Sequence, residues 1–295
     1  MIKMVRNNDE DISKFLEYLY YQKNLSESTI YNYNVDIRKF LEFIKKDSKK
    51  INQTDIMIFL SDSQRKGYKN ATINRRLSSI KTYMDYLLNT GKIEKNPTLG
   101  LKFEREERNI PEVLDYNEVE ALLDAPDLNT DLGTRDKAIL ELIYGLGLKV
   151  SDIVNLNIDD VDLVSEYIVK KRNDSKMYMP MNDKSLKAVK EYIDYIRYTI
   201  DRDSSDALFL NRFGKRLSRQ SIWKMIKGYG KKVGINKNIN TIILRHSFAV
   251  HMLENGVNIE QIKDILGHES IATTQIYRKK TEESFEKAFK KLHPR

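Results

Sequence analysis

A mainly α protein with a small β-sheet, divided into two domains, is what the sequence predicts. Three observations predict it. Apolar residues recur at three- and four-residue spacing through most of the 295-residue chain. One stretch alternates instead, "EYIVKK" followed by "KMYMPMN", as a β-hairpin does. A charged stretch without apolar period, "FEREERNIP", interrupts the helical pattern and reads as a linker. The boundaries expected are 1–103 for a helical domain, 104–111 for the linker and 112–295 for a second domain.

The first domain reads as four or five helices. Asp9 to Lys23 carries Ile12, Phe15, Leu16, Leu19 and Tyr20 on one face. A second helix, capped by Ser26 or Ser28, groups Ile30, Tyr33, Ile37, Phe40, Leu41 and Ile44. Thr54 opens a short third, Asp55 to Gln64, closed by Gly67. The fourth is capped by Asn70 and runs from Ala71 to Asn89, with Ile73, Leu77, Ile80, Tyr83, Met84 and Leu87 inward. Gly91 and then Asn96-Pro97 end helical order. Residues 1–110 hold 21 Lys/Arg and 15 Asp/Glu, which is +6 of the chain's +8. On the fourth helix Thr72, Arg75, Arg76 and Ser79 form the polar face, with Lys69 ahead and Lys81 behind. Such a row suits phosphate contacts along a duplex, or simply a solvated helix face.

The second domain opens with a helix from Asn117 to Leu123. Another runs from Thr134 to Tyr144, with Thr134 as cap and Gly145 and Gly147 as stop. Ser151 caps a further helix, and the hairpin follows with Asn173-Asp174-Ser175 as its turn. Helices at Asp183 to Thr199 and Ser218 to Val233 come next; Arg219 and Gln220 on the latter are candidate DNA contacts. The tail, Thr281 to Leu292, patterns as an amphipathic helix with Phe285, Ala288, Phe289 and Leu292 on one side. Zero cysteines exclude a disulfide framework and thiolate metal sites, and no apolar run reaches membrane-spanning length. A cytoplasmic protein with no membrane partner is therefore expected.

The organising stretch is Thr241 to Tyr277, "TIILRHSFAVHMLENGVNIEQIKDILGHESIATTQIY". Three short helices are expected: Arg245 to Glu254 closed by Asn255-Gly256, a second opened by Asn258 and ended at Gly267, and a third from Ser270 to Tyr277. It holds three of the chain's four histidines, His246, His251 and His268. Singly, each residue reads as packing or capping. In order and spacing, "LRHSFAVHMLENG" and "ILGHESIATTQIY" closely resemble the C-terminal signature of the tyrosine recombinases, the phage-integrase and Xer-like family. "SESTIYNYNVDIRKFLEF" and "NATINRRLSSIKTYMDYLL" are similar to that family's core-binding domain.

The resemblance implies a SAM-like core-binding domain and an α+β catalytic domain that together clamp double-stranded DNA. It implies strand transfer without metal or cofactor, through a 3′-phosphotyrosyl intermediate, in a homo- or hetero-tetramer joined by the C-terminal helix. Negative charge builds on the phosphoryl oxygens, so fixed cationic donors must meet it, while the nucleophile loses a proton and the leaving oxygen gains one. By match, Tyr277 is the nucleophile, Arg245 a phosphate-clamping arginine and His268 a phosphate hydrogen-bond donor. Three positions depart from the pattern. Lys149, in "GLGLKVSD", stands where the family has its first arginine, and lacks the planar fork. Arg172 stands at the hairpin lysine, with Lys171 adjacent. Ile242 stands at a histidine three residues before Arg245, with no other histidine assigned to that place. Those departures leave open a catalytically weakened, DNA-binding relative acting as accessory or regulator. A type IB topoisomerase-like nicking enzyme and a basic helical scaffold are the remaining readings.

Overall fold

The structure, a computed structural model, describes residues 2–102, 111–172, 175–202, 204–268, 270–278 and 280–281. The chain divides into two compact units, Met1–Glu107 and Arg108–Arg295. The linker expected at 104–111 and the tail helix expected at 281–292 fall almost wholly outside the described residues.

The first unit is built on α1 (Ile2–Tyr21), α2 (Glu27–Ile44), α3 (Gln53–Arg65) and α4 (Asn70–Asn89). α1 begins well before the expected Asp9. Ser26 caps α2, its hydroxyl accepting from the Thr29 amide. At α3 the cap is Asn52 rather than Thr54, because Asn52 and Asp55 exchange side-chain and backbone hydrogen bonds in a capping box. Phe15, Leu19, Ile37, Phe40, Ile56, Ile80 and Leu87 close one apolar core.

The row expected as the polar face of α4 is only partly exposed. Arg76 and Ser79 are buried, 4% and 0% exposed, because α2 supplies a buried acceptor. The Asp36 carboxylate takes a hydrogen bond from Ser79 Oγ at 3.0 Å and an ion pair from Arg75. Arg76 donates to Ser63 Oγ at 2.6 Å and lies over the Tyr68 ring at 4.0 Å. Burial pushes the Asp36 carboxyl up, against the pull of Ser79 and the two guanidinium groups. Lys81 donates to the Leu101 carbonyl at 2.6 Å, which leaves Lys69, Thr72 and Arg75 as the solvent-facing part of the row. Asp36→Ala removes the counter-charge of a buried cation, so a loss of about 3 kcal/mol is expected. A denaturant melt of the full chain, with hydrogen exchange read at α2 and α4, checks it; unchanged protection there would show that the network carries little.

The second unit begins with α5 (Tyr116–Leu123), α6 (Asp131–Gly145) and α7 (Val150–Asn155). Thr130, not Thr134, caps α6, its hydroxyl accepting from the Gly133 amide. Likewise Lys149 rather than Ser151 is the residue at the start of α7. α6 is buried nearly all round, with Ala138, Ile139, Leu140, Leu142 and Ile143 in this unit's core and the buried Arg135 and Asp136 paired with each other at 2.6 Å.

Three antiparallel strands follow in the order β1 (Val161–Asp162), β2 (Tyr167–Arg172), β3 (Ser175–Pro180). The expected hairpin thus gains a short edge strand. Ser175 is not a turn residue but pairs with Arg172, and Asn173 and Asp174 lie outside the described residues. Ile168 opposite Met179 gives the sheet its buried face.

α8 (Asp183–Glu191) continues through a π-helical segment, Tyr192–Arg197, into one last turn, α9 (Tyr198–Ile200). α10 (Arg219–Lys232), capped by Ser218, precedes α11 (Thr241–Glu254) and α12 (Ile259–Leu266). A final helix, α13, covers 271–278. Among the described residues no helix is long and apolar enough to cross a membrane.

Candidate active site

α11 positions the chemistry. It starts four residues earlier than the sequence suggested, because the Asn240 side chain accepts from the amides of both Ile242 and Ile243. The added turn places Ile242 on the helix. From there Leu244, Phe248, Ala249 and Val250 turn into the core.

Arg245 lies among them, 7% exposed. Its guanidinium donates to the carbonyls of Gly147, in the loop after α6, and Leu266, at the end of α12. Two of a guanidinium's five donors thus tie three segments together. Gly147 has φ +62°, and a Cβ there would lie 2.6 Å from the Phe248 ring, so the loop can run this close only as glycine. Burial lowers the Arg245 pKa, opposed by the Tyr277 phenol and the Asp152 carboxylate.

α12 ends at Gly267 with φ +62°, the left-handed cap expected from the sequence. The chain then turns through His268 into α13, where Ser270 Oγ accepts from the Ala272 amide. His268 Nδ1 and Thr274 Oγ1 are 2.9 Å apart. Tyr277, 2% exposed, packs with Phe248, Ile262 and Leu266. Burial raises the Tyr277 pKa, partly offset by the positive charge of Arg245.

Tyr277, His268 and His246 face one cavity of about 450 Å³, lined also by Ile242, Thr273, Ile276 and the backbone segment at Pro111 and Glu112. The His246 ring meets the Tyr277 ring at 5.4 Å between centroids, inclined by 62°. The His268 ring lies 6.3 Å away, inclined by 23°. Burial, and then the charge of Arg245, lowers the His246 pKa. Sequence reasoning missed His246, although it stands four residues after Ile242 and so on the same helix face. Ile242 itself is 60% exposed at the cavity.

Lys149 is an exposed residue whose backbone amide donates to the Asp152 carboxylate at 3.1 Å. The same carboxylate oxygen takes Lys170 Nζ at 2.7 Å. Lys170, 8% exposed, was also missed; it shares the buried strand face with Ile168, two residues back. Lys171, adjacent to Arg172, points the other way and pairs with Asp160 at 2.6 Å. Arg172 ends β2. Arg219 and Gln220 are exposed on the first turn of α10.

The third histidine of the segment is structural. His251 is 5% exposed, stacked on Tyr116 at 3.9 Å, with Nδ1 2.9 Å from the Tyr144 hydroxyl. Burial lowers its pKa as it does that of His246. Both histidines bind protons less readily folded than unfolded, so their stabilising contribution is complete above the ordinary imidazole value of 6.5 and falls as pH drops below it toward the depressed folded values. The second unit is therefore expected to melt at lower temperature at pH 5 than at pH 7.5. His251→Gln should flatten part of that slope; a slope untouched by it would place the acid sensitivity elsewhere.

Comparison with known proteins follows this geometry. The phage integrase family matches residues 112–284, and the phage integrase N-terminal SAM-like domain matches 12–91. The tyrosine recombinase XerD of Oceanobacillus iheyensis is 35% identical over 292 residues, covering 96% of this chain and 98% of its own. The tyrosine recombinase XerC of Roseiflexus castenholzii is 36% identical over 278 residues, covering 91% and 88%. Among solved structures, the XerA recombinase is 29% identical, with coverage of 98% and 99% and a TM-score of 0.54. XerH bound to a palindromic difH substrate shares the fold at a TM-score of 0.73, 20% identity and coverage of 94% and 83%. A helical SAM-like domain, a helical domain with a small antiparallel sheet, and this likeness along nearly the whole length make the chain a member of the phage integrase family of tyrosine recombinases.

Proposed function

We propose that the protein cuts and rejoins double-stranded DNA at specific sites, with the Tyr277 oxygen as nucleophile and a 3′-phosphotyrosyl link as intermediate. One observation carries the assignment: a buried phenol shares a cavity with two imidazoles and has the Arg245 guanidinium close enough to act on its charge. Arg245 and Lys149 meet the charge growing on the phosphoryl oxygens, and His268 donates to one of them. Arg172 adds positive charge at the hairpin end. Lys170, held on Asp152, keeps the hairpin registered against the Lys149 segment.

Lys69, Thr72 and Arg75 from the first unit, with Arg219 and Gln220 from the second, contact the duplex, while Lys81 is held by the Leu101 carbonyl. Arg76 supports them from beneath through Asp36 and Tyr68. The protein works in the cytoplasm as a tetramer joined by its C-terminal helix, and needs neither metal nor cofactor for strand transfer.

A second reading, a weakened relative that occupies sites without cutting, draws on Lys149 and on the apolar Ile242 at the cavity. A nicked suicide duplex, carrying half-sites this protein selects from a random library, separates the two. A covalent protein–DNA adduct supports the recombinase; saturated binding without adduct supports the second reading. Lys149→Arg restores a two-donor fork and is expected to speed adduct formation about tenfold. No change would show that the ammonium already suffices.

A further inference from the structure

Attack by a phenol requires somewhere for its proton to go. Burial raises the Tyr277 pKa, so the hydroxyl does not ionise unaided near neutrality. The cavity it faces is lined by three other titratable groups, Glu112, His246 and His268.

Glu112 is exposed, and a carboxylate is a much weaker base than imidazole at neutral pH. His268 has Nδ1 engaged with Thr274 and its ring centre 6.3 Å from that of Tyr277. His246 is closer, at 5.4 Å, and steeply inclined to the phenol. It sits one residue after Arg245 on α11, a helix capped by Asn240 and largely buried, which Arg245 ties to the carbonyls of Gly147 and Leu266. Burial and the charge of Arg245 favour its neutral form, the one able to accept a proton. One turn earlier on the same face stands Ile242, which can neither give nor take a proton.

We infer that His246 accepts the proton of the Tyr277 hydroxyl during DNA cleavage, serving from one helical turn further on the place that Ile242 leaves apolar. The inference rests on the recombinase reading above. In the step, the Tyr277 O–H bond breaks and its proton passes to an imidazole nitrogen of His246. The oxygen bonds the phosphorus, the bond from phosphorus to the 5′ oxygen breaks, and that oxygen takes a proton from solvent. On rejoining, the 5′ hydroxyl gives its proton to solvent as it bonds the phosphorus, and the imidazolium returns its own to the departing phenolate. No other reactant is needed.

Adduct formation on the nicked suicide duplex is the test, read beside duplex affinity. A Tyr277-dependent adduct from the wild-type protein establishes the underlying reading; its absence removes that reading and the assignment with it. Given the adduct, His246→Ala is expected to slow its formation about a hundredfold at pH 7 while duplex affinity holds. His246→Gln, which keeps a polar side chain of similar length, should be as slow and guards against a folding defect. The residual rate should climb with pH as hydroxide replaces the imidazole.

On a duplex with sulfur in place of the bridging 5′ oxygen, whose leaving group needs no proton, the deficit should persist. Placing a histidine one turn back, Ile242→His in the His246→Ala background, should recover at least tenfold. A wild-type rate for His246→Gln, a deficit that vanishes on the sulfur-bridged duplex, or no recovery from Ile242→His would each overturn the assignment.

Discussion

Tyr277→Phe is expected to abolish the covalent adduct, lowering its rate by at least about 10⁴-fold, because nothing replaces the attacking oxygen. The fold should hardly notice. The ring packs with Phe248, Ile262 and Leu266, and phenylalanine fills the same space. Loss of one hydroxyl there is worth about 1 kcal/mol or less. Duplex binding should also persist, since the cations proposed to meet phosphates remain. Gel shift, melting and adduct yield measured on one preparation check all three. An adduct that survives the change would move the nucleophile to another residue; a collapse in melting temperature would show that the hydroxyl is structural.

Arg245→Ala has the second largest expected effect, and unlike the first it strikes stability and rate together. The side chain bonds the carbonyls of Gly147 and Leu266, both in the buried interior. Leaving two such acceptors unpaired costs about 1–3 kcal/mol each. The same loss removes a fixed cation from the proposed phosphate site, expected to cost about 10²–10³-fold in rate. Arg245→Lys keeps a charge but cannot reach both carbonyls in one plane, so it should recover part of the rate and little of the stability. Thermal melts separate the two effects, and adduct rates measured well below the melting temperature isolate the catalytic one. A variant that melts normally yet cuts slowly would show that the carbonyl bonds contribute little to the fold.

What was legible in the sequence was local. Asn258 and Gly267 bracket α12 because capping and left-handed turns depend on residues a few places apart. The apolar rows of α2 and α4 were legible for the same reason, and they form the first unit's core. What failed were positions decided by a distant partner. Arg76 read as a polar-face cation, yet Asp36 from α2, Ser63 from α3 and the ring of Tyr68 draw it inward. Lys170 was not singled out at all; it is buried because Asp152 meets it from α7.

The site divides along the same line. Tyr277 and His268 were visible through the resemblance to the family's C-terminal signature, and the structure brings both to one cavity. His246 was within reach as well: four residues after Ile242 is the helical spacing that places two side chains on one face. It was overlooked because the expected start at Arg245 left Ile242 off the helix. The Asn240 cap, which draws α11 back to Thr241, restores both residues to that face.

The central claim is that the Tyr277 oxygen becomes bonded to DNA. The most direct measurement is to trap the adduct on a nicked duplex, digest protein and DNA, and locate the residual nucleotide by mass spectrometry. The account predicts a 3′-linked nucleotide on the peptide that contains Tyr277 and on no other. A nucleotide on Tyr116, Tyr144 or any serine, or its linkage through a 5′ phosphate, would contradict it.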